Sequence, residues 1–107
     1  MSHDYQAQRA ETFETFVELR KQGDLPKTGV IHFLFYAEDH EPDWGPVEAA
    51  LRALGFTVER DEDEGMIDAS VGPIAVTPES IWAYERKATE VALTSEFYPD
   101  GWDMLEG

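Results

Sequence analysis

The apolar run from Val30 to Ala37 constrains the fold of this chain more than any other feature. In an extended segment, alternate side chains point to opposite faces, so each face of this run can be assigned separately. Both faces are apolar, one formed by Val30, Leu34 and Tyr36 and the other by Ile31, Phe33 and Phe35. The pattern predicts a central strand covered on both sides, and the run is far too short to span a bilayer.

A helix is predicted before this strand, from about Tyr5 to Gln22. Gly23 follows at a common helix stop, and Pro26 lies beyond it. The spacing of the apolar residues indicates an inward face of Ala10, Phe13, Phe16 and Val17, with Leu19 at its edge.

The segments after the central strand alternate between helical and strand patterns. A helix is predicted from Gly45-Pro46 to Gly55, followed by a strand from Phe56 to Arg60 and a turn from Asp61 to Gly65. The next strand runs through Ile67, Ala69 and Val71, with a bulge or bend at Gly72-Pro73. A helix from Thr77-Pro78 to about Leu93 and a short strand from Glu96 to Tyr98 come last, before a turn at Pro99 to Gly101. The strands on either side of the acidic turn form a predicted hairpin.

This order predicts an α+β fold, an N-terminal helix followed by a ferredoxin-like βαββαβ sandwich with a four-stranded antiparallel sheet. We expect one domain over residues 1–107, with a leading helix in 1–23 and the βαββαβ core in 28–100. Two helices would cover one sheet face. The leading helix is the predicted cover for part of the other face, and a homodimer partner is the alternative.

The charge of the chain limits its partners. Eight Lys and Arg against 23 Asp and Glu give a formal charge of −15, much of it in two segments, Glu38 to Asp43 and Glu59 to Glu64. Such a surface repels nucleic acid and anionic membranes, and it favours a basic protein partner. The chain has no cysteine, which excludes disulfides and Cys-type zinc sites and agrees with a cytoplasmic location. No signal peptide is visible at the N-terminus.

No catalytic residue or cofactor site is predicted, and we expect the protein not to be an enzyme. His32 is predicted to be a buried neutral histidine with a hydrogen-bonded ring rather than a general base. The segment around His40 has the carboxylates to hold a hard cation, although a solvated loop is the favoured interpretation. Asp61 to Gly65 does not match a calcium loop, because its glycine falls one position too early.

Asp100-Gly101-Trp102 is the most specific local motif. Glycine allows a tight turn, after which the tryptophan can fold back onto the protein. A structural plug at the end of the core is the favoured role of Trp102, and an exposed interface anchor is the alternative.

Three segments together resemble one family. They are Ile31 to Leu34 followed by an acidic loop, Val47 to Val58 followed by acidic residues, and the last helix continuing into Glu96 to Trp102. In this order they are similar to the bacterial regulator of ribonuclease E activity B family. The resemblance implies a ferredoxin-like α+β fold and an acidic cytoplasmic protein that binds the arginine-rich scaffold region of ribonuclease E and inhibits RNA decay.

From the resemblance and the charge, we predict that Asp61, Glu62, Asp63 and Glu64, together with Trp102, contact the partner. The alternatives are a related domain with another basic partner, either a monomer or a homodimer, and a metal-binding protein that uses His40.

Overall fold

A computed structural model describes residues 3–38 and 41–105 of the chain. In chain order the elements are α1 (Tyr5–Gln22), β1 (Thr28–Ala37), α2 (Trp44–Ala53), β2 (Thr57–Asp61), β3 (Met66–Ala75), α3 (Pro78–Thr94) and β4 (Phe97–Leu105). The predicted order of one helix followed by βαββαβ is confirmed.

The strands form one antiparallel sheet in the order β2-β3-β1-β4. The apolar strand β1 therefore lies between β3 and β4, as its sequence predicts for a central strand. Two strands adjacent in sequence, β2 and β3, form the predicted hairpin. This strand order is that of the ferredoxin-like α+β sandwich, which confirms the predicted fold class.

Side-chain caps set the start of two helices. Asp4 accepts a hydrogen bond from the backbone N–H of Ala7 at 3.0 Å, at the beginning of α1. Thr77 accepts one from the N–H of Ser80 at 3.1 Å, and Pro78 occupies the first turn of α3. These caps explain why the predicted starts of both helices are correct.

The hydrophobic core lies between one face of the sheet and the helices. Ile31, Phe33 and Phe35 of β1 are at most 1% exposed on this face. The helices contribute further fully buried side chains, among them Val47, Leu51, Ile81, Ala88 and Ala92. Phe56 packs edge-on against Phe33 and Tyr84, with ring centroids 6.1 and 6.3 Å apart. One face of β1 is thus covered as predicted.

The prediction that both faces of β1 are covered is wrong. Val30 and Tyr36, on the opposite face, remain 36% and 38% exposed. Helix α1 does not cover this face, because it packs beside α3 in the helical layer. A strand can be apolar on both faces and still have one face accessible, and such faces commonly mark binding sites.

The predicted inward face of α1 is confirmed at Phe16 and wrong at Ala10 and Val17, which are exposed. The other buried residues of α1 are Gln8 and Thr12. They face Glu85 and Thr89 of α3, whose polar side chains are buried in the same contact. Polar groups can be buried there because each finds a hydrogen-bond partner on the other helix.

Strand β4 is longer than predicted and runs to Leu105. Pro99 pairs with Phe35 and Trp102 with Phe33, so Asp100 and Gly101 form a bulge within the strand rather than a turn after it. The other predicted irregularity is confirmed: β3 shifts register at Gly72-Pro73, opposite Gly29 to Ile31 of β1.

Candidate protein-binding surface

One face of the sheet is not covered by any helix in the part of the chain that the structure describes. We call it the open face. The strand pairing and the alternation of side chains place on it Val30, His32, Leu34, Tyr36, Thr57, Glu59, Asp61, Met66, Asp68, Ser70, Tyr98 and Asp103. Its centre is apolar and aromatic, and its edges are polar.

The ionised charge on the open face has a single sign. Glu59 and Asp61 belong to β2, Asp68 to β3 and Asp103 to β4. No Lys or Arg is among the residues assigned to this face. The basic residues lie on the three helices, at Lys27 before β1, and at Arg60, which points to the helical side. The basic residues are therefore confined to the helical side, which also carries carboxylates, whereas the open face carries carboxylates without a Lys or Arg among its assigned residues.

A groove of about 860 Å³ runs along the open face at the β2–β3 hairpin. Leu34 and Met66 supply its apolar lining. Five carboxylate residues also line it, namely Glu59, Asp61, Glu62, Asp63 and Asp68. An open, acidic and partly apolar groove suits a basic protein segment better than a small neutral ligand.

The only basic residue of β2, Arg60, also lines this groove and offsets only part of its charge. Its guanidinium donates two hydrogen bonds to the carboxylate of Glu48 on α2, at 2.9 and 2.5 Å, and one to Glu62 at 3.0 Å. It also lies 5.1 Å from the ring centroid of Trp44. The hydrogen bonds from Arg60 lower the pKa of Glu48 despite its burial. Arg60 is shared between Glu48 and one groove carboxylate, Glu62, so the groove with its five carboxylates stays net negative.

The acidic turn, defined as Asp61 to Glu64, is exposed at the end of the hairpin. The side chain of Asp61 accepts a hydrogen bond from the backbone N–H of Glu64 at 3.1 Å, which closes the turn. The N–H of Ala37 donates to the carbonyl of Gly65 at 2.8 Å. The turn is thereby fixed beside the end of β1, next to the groove. The structure brings four of the five predicted contact residues together here.

Trp102 is not part of that cluster. It pairs with Phe33, packs against the core and lines a cavity of about 390 Å³ with Gln8, Thr12 and Glu85. These neighbours place it on the helical side of the sheet, whereas the acidic turn lies at the opposite edge. Its indole N–H is buried and has no hydrogen-bond partner in the described structure. A single contact surface formed by Trp102 and the acidic turn is not present.

His32 lies on the open face. Its Nδ1 is 2.9 and 3.0 Å from the two carboxylate oxygens of Asp68, which agrees with the predicted hydrogen-bonded ring. Its side chain is 19% exposed, so the prediction that it is buried is wrong. Ser70 is its cross-strand neighbour, but no hydrogen bond between the two is present among the described contacts. The geometry therefore gives no nucleophile-base pair.

Residues 3–38 and 41–105 contain no group of three or more His, Asp or Glu side chains placed to hold a metal ion. Asp39 and His40 lie outside the described residues, so the cation site proposed for their loop stays untested. Within the same ranges, none of the helices has the length and apolar character needed to cross a bilayer.

The negative charge beside the open face also affects a tyrosine. The carboxylate of Glu38 raises the pKa of Tyr98, with smaller contributions from partial burial, Glu96 and Tyr36. Tyr98 is therefore neutral at physiological pH and presents an uncharged ring and hydroxyl next to Tyr36.

These observations define a class of protein: a ferredoxin-like α+β sandwich that presents an accessible acidic and aromatic sheet face. Residues 9–104 match the family model described as Regulator of ribonuclease activity B. The chain belongs to this family of ribonuclease regulators, which confirms the resemblance found in its sequence. No curated protein matches the chain.

The sequence analysis expected the leading helix or a homodimer partner to cover the open face and did not predict it as a surface for a different protein, although the signal was present. The outward positions of the hairpin, Thr57 and Glu59 on β2 and Asp68 and Ser70 on β3, are all polar. A second layer over this side would have to bury them without partners, which is unfavourable. Two apolar faces of β1 alone did not require a second cover.

Proposed function

We propose that this protein binds a ribonuclease E-type endoribonuclease through an acidic surface and inhibits it, so that RNA decay slows. Membership of a family of ribonuclease regulators supports the class of target. The single observation that carries the mode of binding is the exposed acidic turn beside a groove that contains no free basic residue of β2. In this proposal the protein performs no chemistry of its own.

Electrostatic attraction accounts for how such a regulator would find its target. The acidic turn projects four carboxylates into solvent, and a basic segment such as the scaffold region of the ribonuclease would be drawn to them. The same charge repels RNA, so in this proposal the regulator does not bind the RNA substrate. Inhibition then follows from occupation of a region of the enzyme rather than from contact with RNA.

The direct test measures binding to purified ribonuclease E and to its isolated scaffold region, together with cleavage of a fluorogenic RNA. We expect the association rate to fall at least about tenfold between ~50 mM and ~300 mM salt, because exposed charges are then screened. Cleavage should slow as the protein is added. Absence of both binding and inhibition at low salt would refute the proposal.

A matched pair of variants locates the contact. The first variant changes Asp61 and Asp63 to Asn and changes Glu62 and Glu64 to Gln, which removes four charges. The amide oxygen introduced at position 61 can still accept the hydrogen bond that closes the turn. The control removes four exposed helical charges by changing Glu14, Glu18, Glu79 and Glu90 to Gln. We expect the first variant to associate about tenfold more slowly than the control. Equal effects would mean that net charge, not the acidic turn, governs binding.

A further inference from the structure

We propose that the open face, and not the acidic turn alone, is the docking surface, and that its occupant is an arginine-rich segment of the partner protein. The inference rests on the proposed function for the identity of the partner. It adds the location of the contact and a structural reason why arginine is preferred to lysine there. Two independent features carry it, an aromatic pair and the absence of Lys and Arg among the assigned residues of a face that carries carboxylates.

The aromatic pair is formed by Tyr36 of β1 and Tyr98 of β4. Their ring centroids are 5.8 Å apart, with an angle of 39° between the ring planes. Tyr36 is 38% exposed, and Val30, further along the same strand, is also accessible. Planar guanidinium groups stack on aromatic rings of this kind. The centre of the open face therefore offers stacking sites for arginine side chains.

Carboxylates lie at both edges of the open face, Glu59 and Asp61 on β2 and Asp103 on β4. A chain that crosses the sheet along the row of the ring pair would meet Asp61 first and then Tyr36 and Tyr98. Asp103 lies further along β4, opposite His32, and Asp68 is bound to His32. Arginine satisfies both kinds of contact, because it pairs with carboxylates through a planar fork and stacks through its faces.

A second copy of this chain fits the open face poorly. In a symmetric dimer through this face, the carboxylates of one protomer would approach those of the other, and no Lys or Arg among the described residues of the face could offset them. Like charges brought together in a desolvated contact oppose association. Charge complementarity therefore favours a cationic occupant over self-association.

RNA is also disfavoured, although the geometry resembles an RNA-binding sheet. Four-stranded sheets of this topology can bind single-stranded RNA by stacking bases on exposed aromatic residues. Such binding also needs cations to neutralise the phosphates. The open face supplies Tyr36 and Tyr98, but the assigned residues of this face include carboxylates and no Lys or Arg. Tyr36 and Tyr98 can stack on planar groups, and the nearby carboxylates favour binding of guanidinium groups over nucleotides.

The test uses the full chain and two synthetic peptides, one in which arginine alternates with alanine and a twin with lysine in place of arginine. Amide shifts of isotopically labelled protein locate each peptide, and fluorescence anisotropy gives its affinity at ~0.15 M salt. We expect the arginine peptide to shift amides of all four strands and to bind about five- to tenfold more tightly than the lysine twin.

Matched variants separate the face from overall charge. Glu59→Gln with Asp103→Asn removes two charges from the open face, and Glu14→Gln with Glu18→Gln removes two from α1. The face variant should bind the arginine peptide at least about fivefold more weakly, and the α1 variant less than about twofold. Tyr98→Leu should abolish most of the preference for arginine over lysine. Thermal unfolding of each variant verifies that it is folded.

Amide shifts confined to the helical side, or equal affinity for the two peptides, would overturn the inference. Binding of a single-stranded RNA to the open face would overturn it as well, and so would a dimer in sedimentation that the face variant dissociates. The ribonuclease itself separates this inference from the proposed function. Inhibition that the face variants leave unchanged refutes the inference and leaves the function standing. Peptide docking on the open face without any effect on the ribonuclease refutes the function and leaves the docking surface standing.

Discussion

The carboxyl group of Glu85 on α3 accepts a hydrogen bond from the hydroxyl of Thr12 on α1, although Glu85 is only 2% exposed. A second hydrogen bond lies beside it, from the amide of Gln8 to the hydroxyl of Thr89 at 3.0 Å. The leading helix is thus attached to the core by a buried polar contact. Each group in it must keep its partner, because an unpaired polar group in this position is costly.

The first prediction concerns Glu85→Gln. Burial raises the pKa of Glu85 above its ordinary value of 4.5. The hydrogen bonds from Thr12 and Gln8 lower the pKa by less, and the smaller effects of Glu11, which raises it, and His3, which lowers it, leave the net shift upward. The folded state therefore holds the proton more tightly than the unfolded state. As pH rises from 4.5 through the folded pKa, the free energy of unfolding falls. Glutamine carries no charge and can still accept from Thr12, so the variant should be more stable at pH 7.

Urea unfolding from pH 4 to pH 8 checks this prediction. The stability gain of Glu85→Gln should be small at the acidic end and should grow towards pH 7. Glu14→Gln, at an exposed position of α1, is the control and should change stability by no more than about 0.5 kcal/mol. A gain that does not depend on pH would contradict the assignment of the effect to the ionisation of Glu85.

The same contact explains where the sequence prediction of α1 succeeded and where it failed. The bounds were correct, because Asp4 caps the start and Gly23 follows the end. The inward face was correct at Phe16 but omitted Gln8 and Thr12, because these polar residues look exposed when their own helix is considered alone. Their burial depends on Glu85 and Thr89, more than 70 residues away in the chain. No local pattern could reveal that partnership.

The candidate surface was predictable only in part, for a similar reason. The acidic turn follows directly from consecutive acidic residues between two strands. The open face depends on which layer covers the sheet, and that is decided by the packing of α1 against α3. Trp102 shows the same limit, since the bulge at Asp100 and Gly101 orients it towards the helices. Local sequence specifies the elements, whereas contacts between distant segments decide which face stays open.

The second prediction concerns Arg60→Ala. Arg60 pairs with Glu48, which is 6% exposed, and its loss leaves this buried carboxylate with only the weaker influence of Arg52. We expect a loss of stability at pH 7 that is larger than for an exposed ion pair and smaller than for a fully buried one, because Arg60 is partly accessible. The hydrogen bonds from Arg60 lower the pKa of Glu48 below 4.5. The contribution of the pair is therefore present above pH 4.5 and is lost as pH falls through the folded pKa.

Chemical unfolding of the wild type and the variant at pH 7 and at successively lower pH measures this effect. The difference between them should shrink upon acidification, as Glu48 becomes protonated in both. Arg86→Ala breaks an exposed pair with Glu90 on one helix and should cost only about 0.5 kcal/mol. A cost for Arg60→Ala as small as this control would show that the pair adds nothing beyond a surface ion pair.

The third prediction compares two glycines with positive φ. A Cβ at Gly72 would lie 2.7 Å from the carbonyl oxygen of Gly29 and 2.9 Å from Cα of Val30. A Cβ at Gly55 meets nothing within 4 Å, although φ there is +98°. Gly55→Ala should cost about 1 kcal/mol from backbone strain alone, and Gly72→Ala more than about 3 kcal/mol because the backbones of β1 and β3 must separate.

Thermal and urea unfolding of both alanine variants test the comparison. Should Gly72→Ala fail to accumulate as a folded protein, Gly72→Ala in a Glu85→Gln background offers a more stable host for the same measurement. Equal costs at the two positions would show that β1 and β3 can move apart freely at this bulge.

The fourth prediction uses Trp102→Phe to separate a structural role from a contact with the partner. The indole N–H of Trp102 is buried without a partner in the described structure, and phenylalanine removes this group while it keeps an aromatic ring against the core. The gain from removing an unpaired donor offsets part of the lost packing, so stability should change by less than about 1 kcal/mol. Trp102→Ala removes the ring and should cost about 3 kcal/mol.

Because Trp102 faces the helical side, Trp102→Phe should bind the ribonuclease with unchanged affinity, as measured by titration calorimetry. A marked loss of affinity in a fully folded Trp102→Phe protein would instead make this tryptophan a second contact with the partner, separate from the acidic turn.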